Sequence, residues 1–210
     1  DEIAGEKIIK IAKISEKVSR RYKVPIAIAP PHHLIPLITK FKITILAQHM
    51  DDKKVGSTTG FMIPEIVKKS KIDGSIINHS EHRISEKEIK SLVKRLQKLK
   101  LKTVLCVKNV NEAKKYAKLN PTFIAIEPPE LIGTGRAIST ERPALITNAV
   151  QAVKSARNST KLLCGAGIIS GQDVSKAKEL GSKGILVASG IVKAKNWEKI
   201  ISEFCKGLKS

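Results

Sequence analysis

Residues 102–127 read KTVLCVKNVNEAKKYAKLNPTFIAIE and show the architecture of the chain most clearly. It begins with an apolar run at 102–107 and ends with a second run at 123–127. Between the runs, Asn109 and Glu112 stand three residues apart, which is the spacing of a capped first turn of a helix. Both runs are nearly continuous in apolar residues, as is typical of parallel strands that are covered on both faces. The stretch therefore predicts a strand, a helix and a second, parallel strand.

The same alternation continues in both directions along the chain. Five more apolar runs of strand length lie at residues 25–29, 43–47, 74–78, 161–164 and 184–188. Apolar residues at helical spacing fill the segments between the runs, and one further helical segment precedes the first run. Because a helix that opens such an alternation usually follows a strand, we expect an α/β TIM (β/α)8 barrel whose first strand lies before residue 1. An open, doubly wound sheet, which needs no additional strand, is the alternative.

Helix-start signals support several of the intervening helices. Ser85 with Glu88 and Ser170 with Asp173 have the spacing of a capping box. Pro143 suits the first turn of another helix, because its missing N–H is not needed there. These signals fix where the predicted helices begin.

Length and composition predict a single TIM-barrel domain over residues 1–210, since no linker or change in composition divides the chain. Cys106, Cys164 and Cys205 are far apart and form no CxxC pair, which argues against a disulfide framework or a zinc ribbon and favours a reducing cytoplasm. The first two end strands and are interpreted as small core residues. No apolar run approaches the roughly 18 residues of a membrane span, so no membrane partner is expected. The chain starts with Asp1 rather than Met, and we expect about ten residues before it that hold the first strand.

The chain is strongly basic, with 39 Lys and Arg against 19 Asp and Glu and a formal net charge of +20. Such a charge suggests a polyanionic partner. However, only seven of these cations are Arg and aromatic residues make up 3% of the chain, whereas nucleic-acid sites favour Arg and aromatic stacking. We therefore expect a solvated exterior that helps to steer a small phosphate dianion, and no specific nucleic-acid partner.

Candidate site residues follow the predicted strands at their C-terminal ends, where TIM barrels carry their active sites. His79 follows the run at 74–78, and Glu127 ends the run at 123–127. Glycine-rich turns follow three runs, within residues 128–135, 165–167 and 188–190. A carboxylate, an imidazole and backbone N–H groups suit the abstraction of a proton beside the carbonyl of a phosphorylated substrate.

Five motifs at these strand ends resemble those of the triosephosphate isomerase family, in particular its short archaeal type. The motifs are Ala47-Gln48-His49, Asn78-His79-Ser80-Glu81-His82-Arg83, Ile126-Glu127-Pro128-Pro129-Glu130-Leu131-Ile132-Gly133-Thr134-Gly135, Leu163-Cys164-Gly165-Ala166-Gly167 and Val187-Ala188-Ser189-Gly190. The resemblance covers essentially the whole chain. It implies interconversion of dihydroxyacetone phosphate and D-glyceraldehyde 3-phosphate through an enediolate, in glycolysis and gluconeogenesis, without a cofactor.

The resemblance also implies a role for each matching residue. Glu127 corresponds to the carboxylate that moves a proton between C1 and C2, and His79 to the electrophile that polarises the carbonyl. The segment 128–135 corresponds to a mobile lid, in which prolines stiffen one hinge and glycines free the other. Glu81 and Arg83 correspond to supporting positions. The backbone donors that hold the phosphate correspond to Ile132 or Gly133, Gly167, Ala188 and Ser189.

Self-association and one departure also follow from the resemblance. We expect a homotetramer or a homodimer, with residues 56–60 in the loop that packs on a neighbouring subunit. The family carries an Asn-any-Lys motif at the end of its first strand, and its Lys contacts the substrate. We expect this motif, with its strand, before Asp1.

Several other patterns have simpler explanations. Gly165-Ala166-Gly167 with Gly171 imitates a dinucleotide fingerprint, but no acidic residue ends the next predicted strand. His32, His33 and His49 belong to no cluster with zinc-like spacing, so we interpret them as loop residues rather than metal ligands. Two alternative functions stay open: a different phosphate-binding barrel, and a weakened isomerase homologue that binds polyanions nonspecifically through its charge.

Overall fold

The computed structural model describes residues 3–210. Seven strands form one sheet, in which every neighbouring pair is parallel and the strands follow their order in the chain. They are β1 (Ala27–Ile28), β2 (Thr44–Ala47), β3 (Gly74–Ile77), β4 (Lys102–Val107), β5 (Phe123–Ile126), β6 (Lys161–Gly165) and β7 (Ile185–Leu186). A doubly wound sheet reverses its strand order at a switch point, so the unbroken order excludes that alternative. The predicted α/β TIM-barrel class is confirmed.

The two outermost strands are shorter than predicted. β1 and β7 span two residues each, whereas the sequence predicted 25–29 and 184–188. Within residues 3–210, β1 pairs only with β2 and β7 only with β6. Strands that pair on one side only are often very short in natural proteins. The strand expected before residue 1 stays a prediction.

Helices follow the strands and cover the outside of the sheet. They are α1 (Lys7–Tyr22), α2 (Ile35–Ile38), α3 (Pro64–Val67), α4 (Glu86–Lys98), α5 (Val110–Ala117), α6 (Ile138–Glu141), α7 (Pro143–Lys154), α8 (Gly171–Glu179), α9 (Ser189–Val192) and α10 (Trp197–Gly207). Single 3₁₀ turns lie at His32–Leu34, Lys68–Ser70 and Pro129–Leu131. No helix among residues 3–210 is long and apolar enough to cross a membrane.

The predicted capping signals act as expected at α4 and α8, where both capping boxes are present. At α4, the Ser85 hydroxyl accepts from the Glu88 N–H, and the Glu88 carboxylate accepts from the Ser85 N–H. At α5 only half of the motif forms. Asn109 accepts from the Glu112 N–H, but the Glu112 carboxylate accepts instead from the Lys108 N–H. Either arrangement satisfies a backbone donor at the start of the helix.

The core has two layers because side chains alternate between the two faces of a strand. The outer layer packs the sheet against the helices and includes Ile8, Ile11, Ala12 and Val18 of α1. The inner layer fills the centre of the barrel with Leu46, Ile76, Val104, Cys106 and Ala125. The alternation therefore determines which residue at each strand end points into the barrel.

The first and last long helices pack against each other and bring the two ends of the curled sheet together. The contact between α1 and α10 includes an ion pair between Lys17 Nζ and Glu198 Oε1 at 2.8 Å. Arg21 adds a longer contact to the same carboxylate, at 3.6 Å.

Candidate active site

Strand alternation directs Glu127 into the C-terminal mouth of the barrel. Ala125 belongs to the inner layer, and Glu127 follows it by two residues, beyond the end of β5. The Glu127 N–H donates to the Val107 carbonyl at 2.9 Å and so extends the pairing between β4 and β5. Only 6% of Glu127 is exposed to solvent. Burying an ionised carboxylate costs free energy, so a carboxyl group at this depth is unusual.

Gly165, at the end of β6, leaves the room that the Glu127 side chain occupies. A Cβ added to Gly165 would lie 2.6 Å from the Glu127 Cγ and 2.7 Å from its Oε1. The neighbouring strand β4 contributes Cys106, whose thiol lies beside the carboxylate. Among residues 3–210, the Glu127 Oε2 atom has no hydrogen-bond partner. This oxygen is therefore free to take up a proton from a bound molecule.

Burial raises the pKa of the Glu127 carboxyl above its usual value of 4.5, whereas His79, the Cys106 thiol and Arg83 pull it down. Burial also raises the pKa of the Cys106 thiol, and the Glu127 charge raises it further. The thiol accordingly stays protonated and can donate to the carboxylate. A raised pKa brings a carboxylate closer to the range in which a general base works best.

His79 faces Glu127 from the turn that follows β3. Its Nε2 atom lies 3.7 Å from the Glu127 Oε2. Asn78, which precedes it, has a φ of 59°, and this left-handed conformation turns the chain sharply. Asn adopts that region more readily than most residues. The Asn78 amide donates to the Cys106 carbonyl at 3.0 Å, and its Oδ1 accepts from the Ile84 N–H at 3.2 Å.

The two supporting residues hold the turn around His79 in different ways. The Glu81 backbone N–H donates to the His79 Nδ1 at 3.3 Å, while the Glu81 side chain is 85% exposed. Arg83 donates to the Asn78 carbonyl at 2.9 Å. Because an N–H can only donate, Nδ1 is the acceptor nitrogen, and the proton of the neutral ring is assigned to Nε2. His79 therefore presents an N–H donor toward Glu127.

The predicted lid, residues 128–135, leaves the site directly after Glu127. It starts with a 3₁₀ turn at Pro129–Leu131 and continues through Gly133 and Gly135, with φ of 74° and 73°. Glu130 is tied to Arg142, at the start of α7, by an ion pair of 2.9 Å. The tip of the lid is exposed, and positive φ values there make glycine the favoured residue.

The predicted phosphate ligands differ in whether their N–H groups are free. The Ile132 N–H donates to the Pro129 carbonyl at 3.3 Å, so of the two alternatives Gly133 is the available donor. The N–H groups of Gly133, Gly167 and Ser189 have no acceptor within the described chain. Ala188 is the N-cap of α9, which starts at Ser189.

Gly167 lies where the lid and the loop after β6 meet. Its φ is 71°, and a Cβ at this position would collide with the Arg136 carbonyl oxygen. The Ile138 N–H donates to the Ala166 carbonyl at 3.3 Å, which holds the two segments together. A Cβ on Gly190 in α9 would likewise collide with the Ile168 carbonyl oxygen. The lid, the loop after β6 and α9 thus converge beside Glu127.

Sequence reasoning missed several residues of this neighbourhood. Asn78 and Gly165 carry no chemistry of their own, and Cys106 was interpreted only as a core residue. Their signal was the strand alternation, which places each of them two residues beyond an inner-layer side chain. The stacking of His49 on His82 was also missed, because the two lie on different loops.

The histidines that were considered as metal ligands make other contacts in the structure. The His32 Nε2 accepts from the Gln48 and His49 N–H groups, at 3.1 and 3.3 Å, and so anchors a loop. Among residues 3–210, no group of three or more His, Cys, Asp or Glu side chains could hold a metal ion. The structure places His32 and His33 in the 3₁₀ turn after β1, and His49 in the loop after β2.

Parallel β/α units with a buried carboxylate and an imidazole at their C-terminal face define an enzyme of the TIM-barrel class. Comparison with known proteins narrows the class. A family model described as triosephosphate isomerase matches residues 3–204, and the chain belongs to this family.

Archaeal relatives match over nearly their whole length. The triosephosphate isomerase of Cenarchaeum symbiosum is 51% identical over 207 residues, which cover 99% of this chain and 93% of the relative. That of Methanocaldococcus jannaschii is 42% identical over 98% of this chain and 94% of its own. That of Methanothermus fervidus is 41% identical over 96% and 91%. The resemblance inferred from the motifs is confirmed, and the chain is an isomerase.

Proposed function

We propose that this chain is a single-domain triosephosphate isomerase that interconverts dihydroxyacetone phosphate and D-glyceraldehyde 3-phosphate. The observation that carries the proposal is the approach of the His79 Nε2 to a buried carboxylate, Glu127, at 3.7 Å. This pair supplies a base and an electrophile, the two groups that such an isomerisation needs. Its relatives, named triosephosphate isomerases, support the assignment.

Glu127 is the proton carrier in this mechanism. Its ionised carboxylate takes a proton from C1 of dihydroxyacetone phosphate, and the electrons of the C–H bond form the C1–C2 double bond of an enediolate. The electrons of the C2 carbonyl double bond move onto its oxygen in the same step. The proton of the C1 hydroxyl then passes to the C2 oxygen, and the carboxylic acid formed on Glu127 returns a proton to C2 as the C1 carbonyl forms, which gives the aldose. The unpartnered Oε2 is suited to this task because no hydrogen bond from residues 3–210 has to break first.

His79 is the electrophile. Its Nε2–H donates to the carbonyl oxygen on which negative charge develops, and such preorganised donors stabilise the charge more than water does. The Glu81 N–H on Nδ1 fixes the tautomer that this donation requires. Arg83 and Asn78 hold the turn in place.

The phosphate group of the substrate is held by backbone N–H groups at the other side of the site. We assign Gly133 of the lid (with Ile132 beside it), Gly167, Ala188 and Ser189 to this role. The free N–H groups of Gly133, Gly167 and Ser189 support the assignment. Closing the lid over the phosphate excludes water from the enediolate.

The physiological setting follows from the reaction. We propose a cytoplasmic enzyme of glycolysis and gluconeogenesis that forms a homotetramer, with a homodimer as the smaller alternative. The exposed Val55 and Phe61 on the loop between β2 and α3 support self-association through this loop. Light scattering of the purified protein tests it. We expect a mass of four, or at least two, chains of 23.0 kDa, and a monomer at all concentrations would contradict it.

A coupled isomerase assay tests the activity and the site together. We expect the wild type to convert both triose phosphates, and Glu127→Gln to lower kcat by about 10²-fold or more, the usual contribution of a general base. Glu179→Gln, which changes an exposed carboxylate at the end of α8 and away from the site, is the control and keeps most of the activity. Equal rates in the wild type and Glu127→Gln would overturn the site assignment.

A further inference from the structure

Two histidines outside the proposed reaction lie face to face beside the active site. The ring centroids of His49 and His82 are 3.7 Å apart, with an angle of 14° between the ring planes. His49 lies on the loop after β2, where only 12% of its side chain is exposed. His82 lies on the turn after β3, three residues beyond His79. The stack therefore joins two neighbouring loops at the mouth of the barrel.

His82 belongs to the turn that orients His79. Its N–H donates to the His79 carbonyl at 3.0 Å. Glu81, directly before it, donates to the His79 Nδ1 at 3.3 Å, and Arg83, directly after it, donates to the Asn78 carbonyl at 2.9 Å. A shift of His82 would displace both of these contacts. These hydrogen bonds hold the backbone of the turn, whereas the stack on His49 holds the His82 side chain.

His49 is a firm support for this stack. Its Nε2 lies 3.4 Å from the Asp51 Oδ1, and its N–H donates to the His32 Nε2 at 3.3 Å. Burial and the nearby His82 lower the pKa of His49, while Asp51 and Glu88 raise it. A neutral His49 ring lets the two imidazoles stack without repulsion between like charges.

We propose that His49 and His82 are positioning residues, which by stacking hold the turn of residues 79–83 so that the Nε2–H of His79 points at the substrate carbonyl. The inference rests on the proposed role of His79 as the electrophile. The stack acts on the transition state through His79 and leaves the phosphate-binding segments untouched. Loss of the stack therefore lowers kcat and spares KM.

Steady-state kinetics with three variants test the proposal. His82→Ala removes the stack, His82→Phe keeps a flat ring that can lie on His49, and His33→Ala removes an exposed histidine elsewhere as a control. We expect His82→Ala to lower kcat about 3- to 10-fold, the factor that corresponds to the loss of an aromatic pair, with KM within about twofold of the wild type. We expect His82→Phe to restore most of the loss and His33→Ala to change neither constant.

Histidine ¹⁵N NMR supplies a readout that does not depend on activity. In the wild type, we expect the His79 signals of a single tautomer with the proton on Nε2. His82→Ala should move these signals toward an average of both tautomers, and His82→Phe should restore them. His49→Asn removes the stack from its other side and should reproduce both effects if His82→Ala fails to fold.

Three results would overturn the proposal: an unchanged kcat in folded His82→Ala, a change confined to KM, or unaltered His79 signals when the stack is gone. Failure of the proposed function looks different. It would appear as an inactive wild type or an active Glu127→Gln, whatever the His79 signals are.

Discussion

At the scale of single residues, the site depends on a carboxyl group that folding places in an unfavourable environment. Glu127 is buried, and its Oε2 has no hydrogen-bond partner among residues 3–210. Folding therefore raises the pKa of this carboxyl above 4.5. The free-energy cost of burying this group is consistent with a function, because burial and the unpartnered Oε2 also leave the carboxylate reactive.

The ionisation of Glu127 should lower the stability of the protein at neutral pH. A group whose folded pKa is raised contributes most below its unfolded pKa, and this contribution is lost as the pH rises through the folded pKa. We therefore predict that Glu127→Gln has a higher free energy of unfolding than the wild type at about pH 7. The difference should shrink on acidification toward about pH 4.

Urea unfolding of both proteins at the two pH values checks this prediction. Glu179→Gln, on an exposed carboxyl at the end of α8, is the control and should show no such dependence on its charge. A Glu127→Gln variant that is less stable than the wild type at neutral pH would show that the native environment favours the ionised form.

At Gly167, both the space for a side chain and the backbone conformation are restricted. Its φ of 71° is unfavourable for Ala, and a Cβ there would collide with the Arg136 carbonyl oxygen. We predict that Gly167→Ala lowers stability by about 2 to 4 kcal/mol and raises KM, because the loop after β6 must move away from the lid. The measurements are urea unfolding and the KM for dihydroxyacetone phosphate.

Gly135→Ala separates the two contributions to this effect. Gly135 has nearly the same φ, 73°, but nothing lies within 4 Å of its added Cβ. We expect a loss of only about 1 kcal/mol, from the backbone conformation alone. Equal losses in the two variants would mean that the close approach to Arg136 does not matter.

The sequence predicted the chemical residues of the site better than the residues that make room for them. His79 and Glu127 were found because their types and their positions after strands suggest chemistry. Gly165 was quoted only within a motif, because its importance comes from the neighbouring strand, which brings Glu127 against it. Contacts between strands depend on register, which a single sequence specifies only weakly.

At the scale of secondary structure elements, α4 fixes the segment between β2 and α3. Arg95 of α4 makes two hydrogen bonds to Glu65, at 3.2 and 2.6 Å, and one to Asp52 at 2.7 Å. It also donates to the Lys53 carbonyl at 2.8 Å. Only 19% of the Arg95 side chain is exposed. A planar guanidinium suits such a fork better than a Lys ammonium does.

We predict that Arg95→Met lowers the free energy of unfolding by about 1 to 2 kcal/mol, since it leaves Asp52 and Glu65 close together without a cation. Lys115→Met is the matched control, because Lys115 pairs with Glu86 on an exposed surface. Exposed pairs contribute little, so no measurable change is expected there. Urea unfolding compares the free energies of unfolding of the two variants, provided that their m-values equal that of the wild type. Equal losses in both variants would show that the burial of Arg95 does not matter.

Helices were easier to predict than the ends of strands. The boxes at α4 and α8 and the proline at the start of α7 are local signals, and the structure has all three. The lengths of β1 and β7 depend on which neighbours they pair with, and that information is not local. At α5 the Glu112 carboxylate had two backbone N–H groups within reach, and spacing alone does not choose between them.

At the scale of the whole molecule, the +20 charge becomes secondary to the site. The charge first suggested a polyanionic partner. However, several surface carboxylates form ion pairs, as Glu198 does with Lys17 and Glu86 does with Lys90 and Lys115. Excess cations spread over a barrel exterior raise the encounter rate with a small dianion without forming a binding groove. The charge is consistent with a phosphorylated substrate and does not define the function.

Isomerisation in D₂O, followed by ¹H NMR, tests whether Glu127 moves a proton between two carbons of a triose phosphate. A carboxylate that takes a proton from carbon and returns it passes through an acid that exchanges with solvent. We predict that the wild type produces D-glyceraldehyde 3-phosphate with deuterium at C2, and that Glu127→Gln forms it at least about 10²-fold more slowly. Formation of the product by Glu127→Gln at the wild-type rate, with or without deuterium at C2, would contradict this role of Glu127.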